Sequence, residues 1–217
     1  MNREERAKEL QKVADEVELC TLCPLYKTAT RGVPGEGNPD ADILFIGEGP
    51  GQKEDELGRP FVGAAGRLLE ELLKHIGLTR NDVFIANVIK HRPPGNRDPL
   101  PEEVEACWPY LHRQISTIQP KVIVLLGRHA LARFLPGKSI SQVRGKPYRV
   151  GAQVYFPVYH PAAALYQGSL KQVLFDDMAK LPAILKQVKE RADIPALEEP
   201  PSVSAMEKTP PPQGSLF

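Results

Sequence analysis

A pair of cysteines separated by two residues, a glycine-rich acidic loop, a basic proline-rich loop and a histidine behind an apolar run are where this chain could do chemistry. Cys20-x-x-Cys23 puts two thiols in one turn directly after an amphipathic helix. With Cys107 the chain has three cysteines, an odd number that argues for metal or redox chemistry over structural disulfides. The segment Ile43 to Gly63, ILFIGEGPGQKEDELGRPFVG, starts as a short apolar strand and becomes a loop of glycine, proline and acids. Gly47, Gly49 and Gly51 let the backbone come close to a ligand, while Pro50 stiffens their midst. The Gly-Lys-Ser/Thr ending of a Walker loop is missing, and Glu48, Glu54 and Asp55 would repel a pyrophosphate, so a less anionic ligand is expected.

These residues need elements to place them. A helix is predicted from about Arg3 to Glu18 on the stripe Leu10, Val13, Ala14 and Val17, and a second from Ala65, Leu68, Leu69, Leu72, Leu73 and Ile76. Apolar runs at 43–46, 83–86, 122–126 and 154–158 read as four strands, ending at Gly47, Asn87, Gly127 and His160. A helix follows Glu102 and Glu103, a short one covers about Arg128 to Leu135, and a last one spans about Leu170 to Val188. Alternation of this kind predicts an α/β fold: three layers, α/β/α, around a parallel sheet of about four strands. Ligands in such sheets bind beyond the carboxyl ends of the strands, where all these loops begin.

A chain of 217 residues suffices for one domain and a tail. The expected division is a folded domain over 1–190 and a disordered, proline-rich tail over 191–217. A net charge of +1 gives no global basic field, so any nucleic acid must be held locally. No apolar run is long enough to span a membrane and the amino terminus is charged from the start. A cytoplasmic protein, working as a monomer without a membrane, is expected.

The ordered set GEGPGQKED with GRPFVG, Asn87 followed by KHRPPGNRDP, and His160-Pro161-Ala162, together with Cys20-x-x-Cys23 and Cys107, resembles the family 4, iron–sulfur uracil-DNA glycosylases over roughly residues 15 to 185. The resemblance implies the uracil-DNA glycosylase-like fold and a monofunctional glycosylase. It would flip uracil out of double- or single-stranded DNA and hydrolyse its N-glycosidic bond, beginning base excision repair. No lysine stands at the matched positions to form a Schiff base. By the same resemblance Glu48, Asn87 and His160 are catalytic, and Gly49, Glu54, Phe61, Asn87 and His160 bind uracil. Phe61 would stack on the base and Asn87 read its edge. His160 would face the leaving base, Glu48 the attacking water and sugar, and Glu54 would crowd the C5 edge. Backbone N–H groups from Gly49 to Gln52 could add donors. The alternative is a non-catalytic or altered-specificity, metal-containing DNA-binding member of the same superfamily.

The family supplies four cysteines to a [4Fe–4S] cluster, and here the third position is His91. The implied ligands are Cys20, Cys23, His91 and Cys107. A Cys3His zinc site is the alternative metal, and His91 as a bystander is a third possibility. Arg92, Asn96, Arg97 and Arg144, with Lys90, suit phosphate contacts, and Leu165 or Tyr166 is a candidate wedge into the duplex. The carboxyl-terminal Gln213-Gly214-Ser215-Leu216-Phe217 resembles the peptide by which bacterial repair proteins bind the sliding clamp.

Overall fold

The computed structural model of the chain describes residues 1–190. The tail and its Gln213–Phe217 peptide lie outside the described residues. Six strands form one sheet: β1 (Glu36–Gly37), β2 (Ile43–Gly47), β3 (Phe84–Asn87), β4 (Val122–Leu126), β5 (Tyr148–Val150) and β6 (Gln153–Val158). They lie in the order β1-β3-β2-β4-β6-β5. The helices are α1 (Arg3–Glu18), α2 (Gln52–Leu57), α3 (Ala64–His75), α4 (Pro101–Ile118), α5 (Gly127–Phe134), α6 (Ile140–Val143), α7 (Pro161–Tyr166), α8 (Ser169–Met178) and α9 (Leu181–Lys189).

The four strands read from apolar runs are the parallel centre of this sheet. Every residue of β2, β3 and β4 is buried, as a strand covered on both faces requires. Alternate side chains enter two cores. Leu44 and Ile46 join Leu111 and Leu131 on the side of α1, α4 and α5; Ile43 and Phe45 join Leu69, Leu72 and Leu174 on the side of α3, α8 and α9. This is the three-layer α/β/α arrangement expected from the sequence.

The differences lie at edges and breaks. Short antiparallel strands β1 and β5 close the sheet's two sides. Neither carries an apolar run, and β5 is only half buried along its length, so periodicity gives no signal for them. The single last helix is two, because Pro182 sits in the first turn of α9, where a missing N–H costs nothing, while inside one long helix it would break the ladder. The acidic loop after β2 is in part helical, as α2.

Chain connections reverse direction at the sheet's middle. From β2 the chain goes to β3 on one side, and from β4 it goes to β6 on the other. The crevice at a topological switch therefore opens where β2 ends at Gly47 and β4 ends at Leu126. No helix among the described residues is long and apolar enough to cross a membrane.

Candidate active site

A cavity of ≈ 450 Å³ occupies that crevice, and Glu48, Phe61, Asn87, Tyr159 and His160 line it. Parallel pairing puts Gly47 beside Asn87 at the ends of β2 and β3. Gly47 has to be glycine: a Cβ there would stand 2.5 Å from Asn87 Oδ1 and 2.6 Å from Phe61 Cζ. Gly49 is constrained in the same way, with a Cβ falling 2.6 Å from Ile89 Cγ1.

Asn87 is 1% exposed, and its buried Oδ1 has no hydrogen-bond partner in the protein. A buried acceptor left in that state costs stability unless a ligand satisfies it. On the cavity's wall the rings of Phe61 and His160 stack together, with centroids 5.5 Å apart and planes 29° from parallel. Phe61 holds φ at +52°, a left-handed conformation that side-chain-bearing residues disfavour.

His160 is the N-cap of α7, and its Nδ1 accepts the Ala162 N–H at 3.1 Å. That bond fixes the tautomer: in the neutral ring Nε2 carries the proton and can donate. Burial pulls the imidazole down to about 4, outweighing the attraction of Glu54, so the ring is neutral at physiological pH.

Glu48 sits half-buried at the cavity's other end. Burial raises its carboxyl; His129 opposes that rise, Asp98 adds to it and Arg128 opposes it. His129 Nε2 lies 3.6 Å from Glu48 Oε2 and 3.3 Å from Asp98 Oδ1, and Arg128 grips Asp98 at 2.6 and 2.8 Å. Sequence reasoning missed His129 and Arg128. The available signal was their position in Gly127-Arg128-His129, directly after a strand's carboxyl end. Glu54 lines the cavity, but its Oε1 also accepts the N–H groups of Val62 and Gly63, each at 2.8 Å, and so ties the loop onto α2.

The basic loop is arranged differently from the expectation of freely exposed phosphate ligands. Lys90 is fully buried, with Nζ donating to Asn87 O at 3.0 Å, Pro34 O at 3.2 Å and Gln114 Oε1 at 2.8 Å. Burial lowers its ammonium to about 7, and it cannot reach a phosphate. Arg97 donates to buried Glu103 at 2.6 and 2.9 Å; Arg144 donates to buried Asp177 at 2.6 Å and covers the Tyr159 ring. Arg92 Nε bonds Asn96 Oδ1 at 2.8 Å on the exposed surface, and Asn96 and Arg97 line the cavity. Leu165 and Tyr166 stand exposed at the end of α7, Tyr166 by 93%.

Cys20, Cys23, His91 and Cys107 are all buried, and none of the cysteines is in a disulfide. The Lys90 N–H donates to Cys107 Sγ at 3.3 Å. A hydrogen bond from Cys107 lowers the Cys23 thiol to about 6 despite its burial. The buried His91 Nδ1 has no hydrogen-bond partner, as a nitrogen meant for a metal would have none within the protein. No three of the four bring their ligand atoms within 4.8 Å of one another; among the described residues Glu48, Asp98 and His129 do. Asp98 in that trio is already neutralised by Arg128.

Among known proteins, residues 34–180 match the model of the Uracil DNA glycosylase superfamily. The chain is similar to the type-4 uracil-DNA glycosylase of Sulfurisphaera tokodaii, with 50% identity over 183 residues covering 79% of this chain and 83% of that one. It is similar to the type-4 enzyme of Thermotoga maritima, with 48% identity over 180 residues covering 81% and 94%. The type-5 uracil-DNA glycosylase of Thermus thermophilus is more distant, at 32% over 170 residues covering 64% and 77%.

Proposed function

The chain belongs to the uracil-DNA glycosylase superfamily, and on that basis we propose that it excises uracil from DNA by hydrolysing the N-glycosidic bond, the first step of base excision repair. The observation that carries this reading is Asn87 Oδ1, a buried acceptor without a partner, in a cavity also lined by Phe61 and a neutral His160.

A base flipped into the cavity would stack on Phe61 while the Asn87 amide pairs with its edge, offering an acceptor and donors together. As the bond to the sugar breaks, negative charge gathers on the base oxygens and positive charge on the sugar. His160 Nε2–H donates to a base oxygen; being neutral, it stabilises the leaving anion by a hydrogen bond, with no need to transfer its proton. Backbone N–H groups between Gly49 and Gln52 supply further donors. Glu48, as a carboxylate, stabilises the cationic sugar and orients water. Glu54 borders the base and disfavours a C5 methyl group. At the rim Arg92 and Asn96 take phosphates, with Arg97 and Arg144 braced behind them by buried carboxylates, and Leu165 or Tyr166 fills the gap left in the stack.

Cys20, Cys23, His91 and Cys107 would hold a [4Fe–4S] cluster. Three buried thiols outside any disulfide and the unpartnered His91 Nδ1 support a metal site there. Bound there, the cluster supplies a crosslink between the turn after α1, the strand-end loop and α4. The folded domain of 1–190 carries the activity as a cytoplasmic monomer, and Gln213–Phe217, outside the described residues, docks on the sliding clamp.

The test is base release from a uracil-containing oligonucleotide, scored by alkaline cleavage in metal-replete conditions. The purified protein is expected to release uracil, so that alkali then breaks the strand, and to spare the thymine control. Asn87→Ala and His160→Ala should each lower kcat about 10²–10³-fold. An intact uracil strand would sink the proposal.

A further inference from the structure

Arg80 does not line the cavity, yet it holds the backbone of the aromatic residue that closes it. Its Nη1 donates to the Phe61 carbonyl at 2.9 Å and its Nη2 to the Pro60 carbonyl at 2.6 Å. The two carbonyls are consecutive, and a planar guanidinium spans them as an ammonium cannot. The clamp sits on a backbone that needs holding, because Phe61 has φ at +52°. On the amide side of the same turn, Glu54 accepts the Val62 and Gly63 N–H groups. Against its back lies Gly66, where a Cβ would stand 1.8 Å from the Phe61 carbonyl oxygen.

The guanidinium is itself fixed. Glu36 Oε1 accepts Arg80 Nε at 3.0 Å, and the Glu36 carboxylate also binds Arg59. Burial would raise the Glu36 carboxyl, but Arg59 and Arg80 hold it below the ordinary carboxylate range. The Arg80 side chain is 16% exposed. Glu36 lies on β1, the edge strand that pairs with β3, so the chain of contacts runs from the sheet through Glu36 and Arg80 to the Phe61 turn.

We propose that Arg80, anchored by Glu36, is a positioning residue that aims the Phe61 ring into the base pocket and thereby tightens uracil binding. This rests on the stacking role given to Phe61 above. The guanidinium touches neither base nor sugar; it holds the strained turn in the one conformation that sets the ring opposite His160.

The experiment is a double-mutant cycle on the full-length, metal-replete protein, combining Arg80→Ala with Phe61→Ala. It reads kcat and KM on uracil DNA, inhibition by free uracil, and thermal midpoint. Arg80→Ala is expected to lower kcat/KM about tenfold and weaken free-uracil inhibition similarly, and in the Phe61→Ala background to change kcat/KM by less than about twofold. Arg80→Lys should behave like Arg80→Ala, and serves for the same cycle if the alanine variant does not fold; Glu36→Gln should fall between. Equal losses in both backgrounds would show Arg80 to be merely structural and overturn the proposal. An unchanged Phe61→Ala single variant is a separate result, which overturns the stacking reading itself.

Discussion

The proposed acid, Glu48, and the proposed donor, His160, are set apart by their surroundings. His160 is pulled down to about 4 by burial, whereas burial raises Glu48. At physiological pH the imidazole therefore stays neutral, while burial shifts the Glu48 carboxyl upward. The pH–kcat profile on uracil DNA should show no inflection at the ordinary histidine value near 6.5. Its acid limb should lie above the ordinary carboxylate range and vanish in Glu48→Gln, leaving a low, flat profile. Stability carries the same signature: the unfolded chain protonates His160 below about 6.5 and the folded one only near 4. The thermal midpoint should thus fall as pH drops from 6.5 towards 4, with a shallower fall in His160→Asn. Neither pKa could be read from the sequence, since both depend on what covers the groups.

At the scale of elements, the start of α4 shows a charge doing other work than its composition suggests. Arg97 reads as a basic loop residue, yet both of its terminal nitrogens bond Glu103, whose carboxylate also accepts the Leu100 N–H at 2.8 Å and caps the helix. Glu103 is 2% exposed and the Arg97 side chain 40%, so the pair is only partly screened. Arg97→Ala leaves the buried carboxylate with the cap alone. The expected result is a thermal midpoint lower by a few degrees. Differential scanning calorimetry checks this, and Arg92→Ala, whose partner is an exposed amide, should leave the midpoint in place. At the other end of the chain, α1 is fastened to α4 by Arg113, which binds Glu9 at 2.8 Å and also Glu16. Such pairings link residues roughly a hundred positions apart, beyond any local pattern.

Across the whole molecule, five residues join the proposed base pocket to the proposed metal site. Asn87 faces the cavity; Val88 and Ile89 donate their N–H groups to Gly47 O and Glu48 O at 2.9 and 3.1 Å; Lys90 donates to Cys107 Sγ; His91 presents its unpartnered Nδ1. A metal held by His91 and Cys107 would thus stiffen the segment that carries Asn87. Imidazole is a neutral ligand, whereas a thiolate brings a negative charge to the iron and is the ordinary ligand of such clusters. His91→Cys is expected to raise iron and sulfide retained per chain after aerobic purification, raise the thermal midpoint, and leave base release within about twofold. Zinc in place of iron and sulfide in the anaerobic wild-type protein would reject the cluster and leave the glycosylase reading standing.

The sequence by itself determined the parallel centre of the sheet, because runs such as Val122 to Leu126 can only be buried on both faces. It also determined where the chemistry had to be, because glycines, Asn87 and His160 close those runs at the same end. Short elements escaped it: β1 and β5 are edge strands without an apolar run, and the break before α9 turns on Pro182. Tertiary structure alone decided which polar groups are used up and which are left open. It buried Lys90 under three acceptors, spent Arg97 and Arg144 on buried carboxylates, and set Arg80 behind Phe61. It left Asn87 Oδ1 and His91 Nδ1 unpartnered. Local sequence fixes periodicity and turn chemistry, whereas the partner of a charge or an amide is chosen by chain segments that meet only when the layers close.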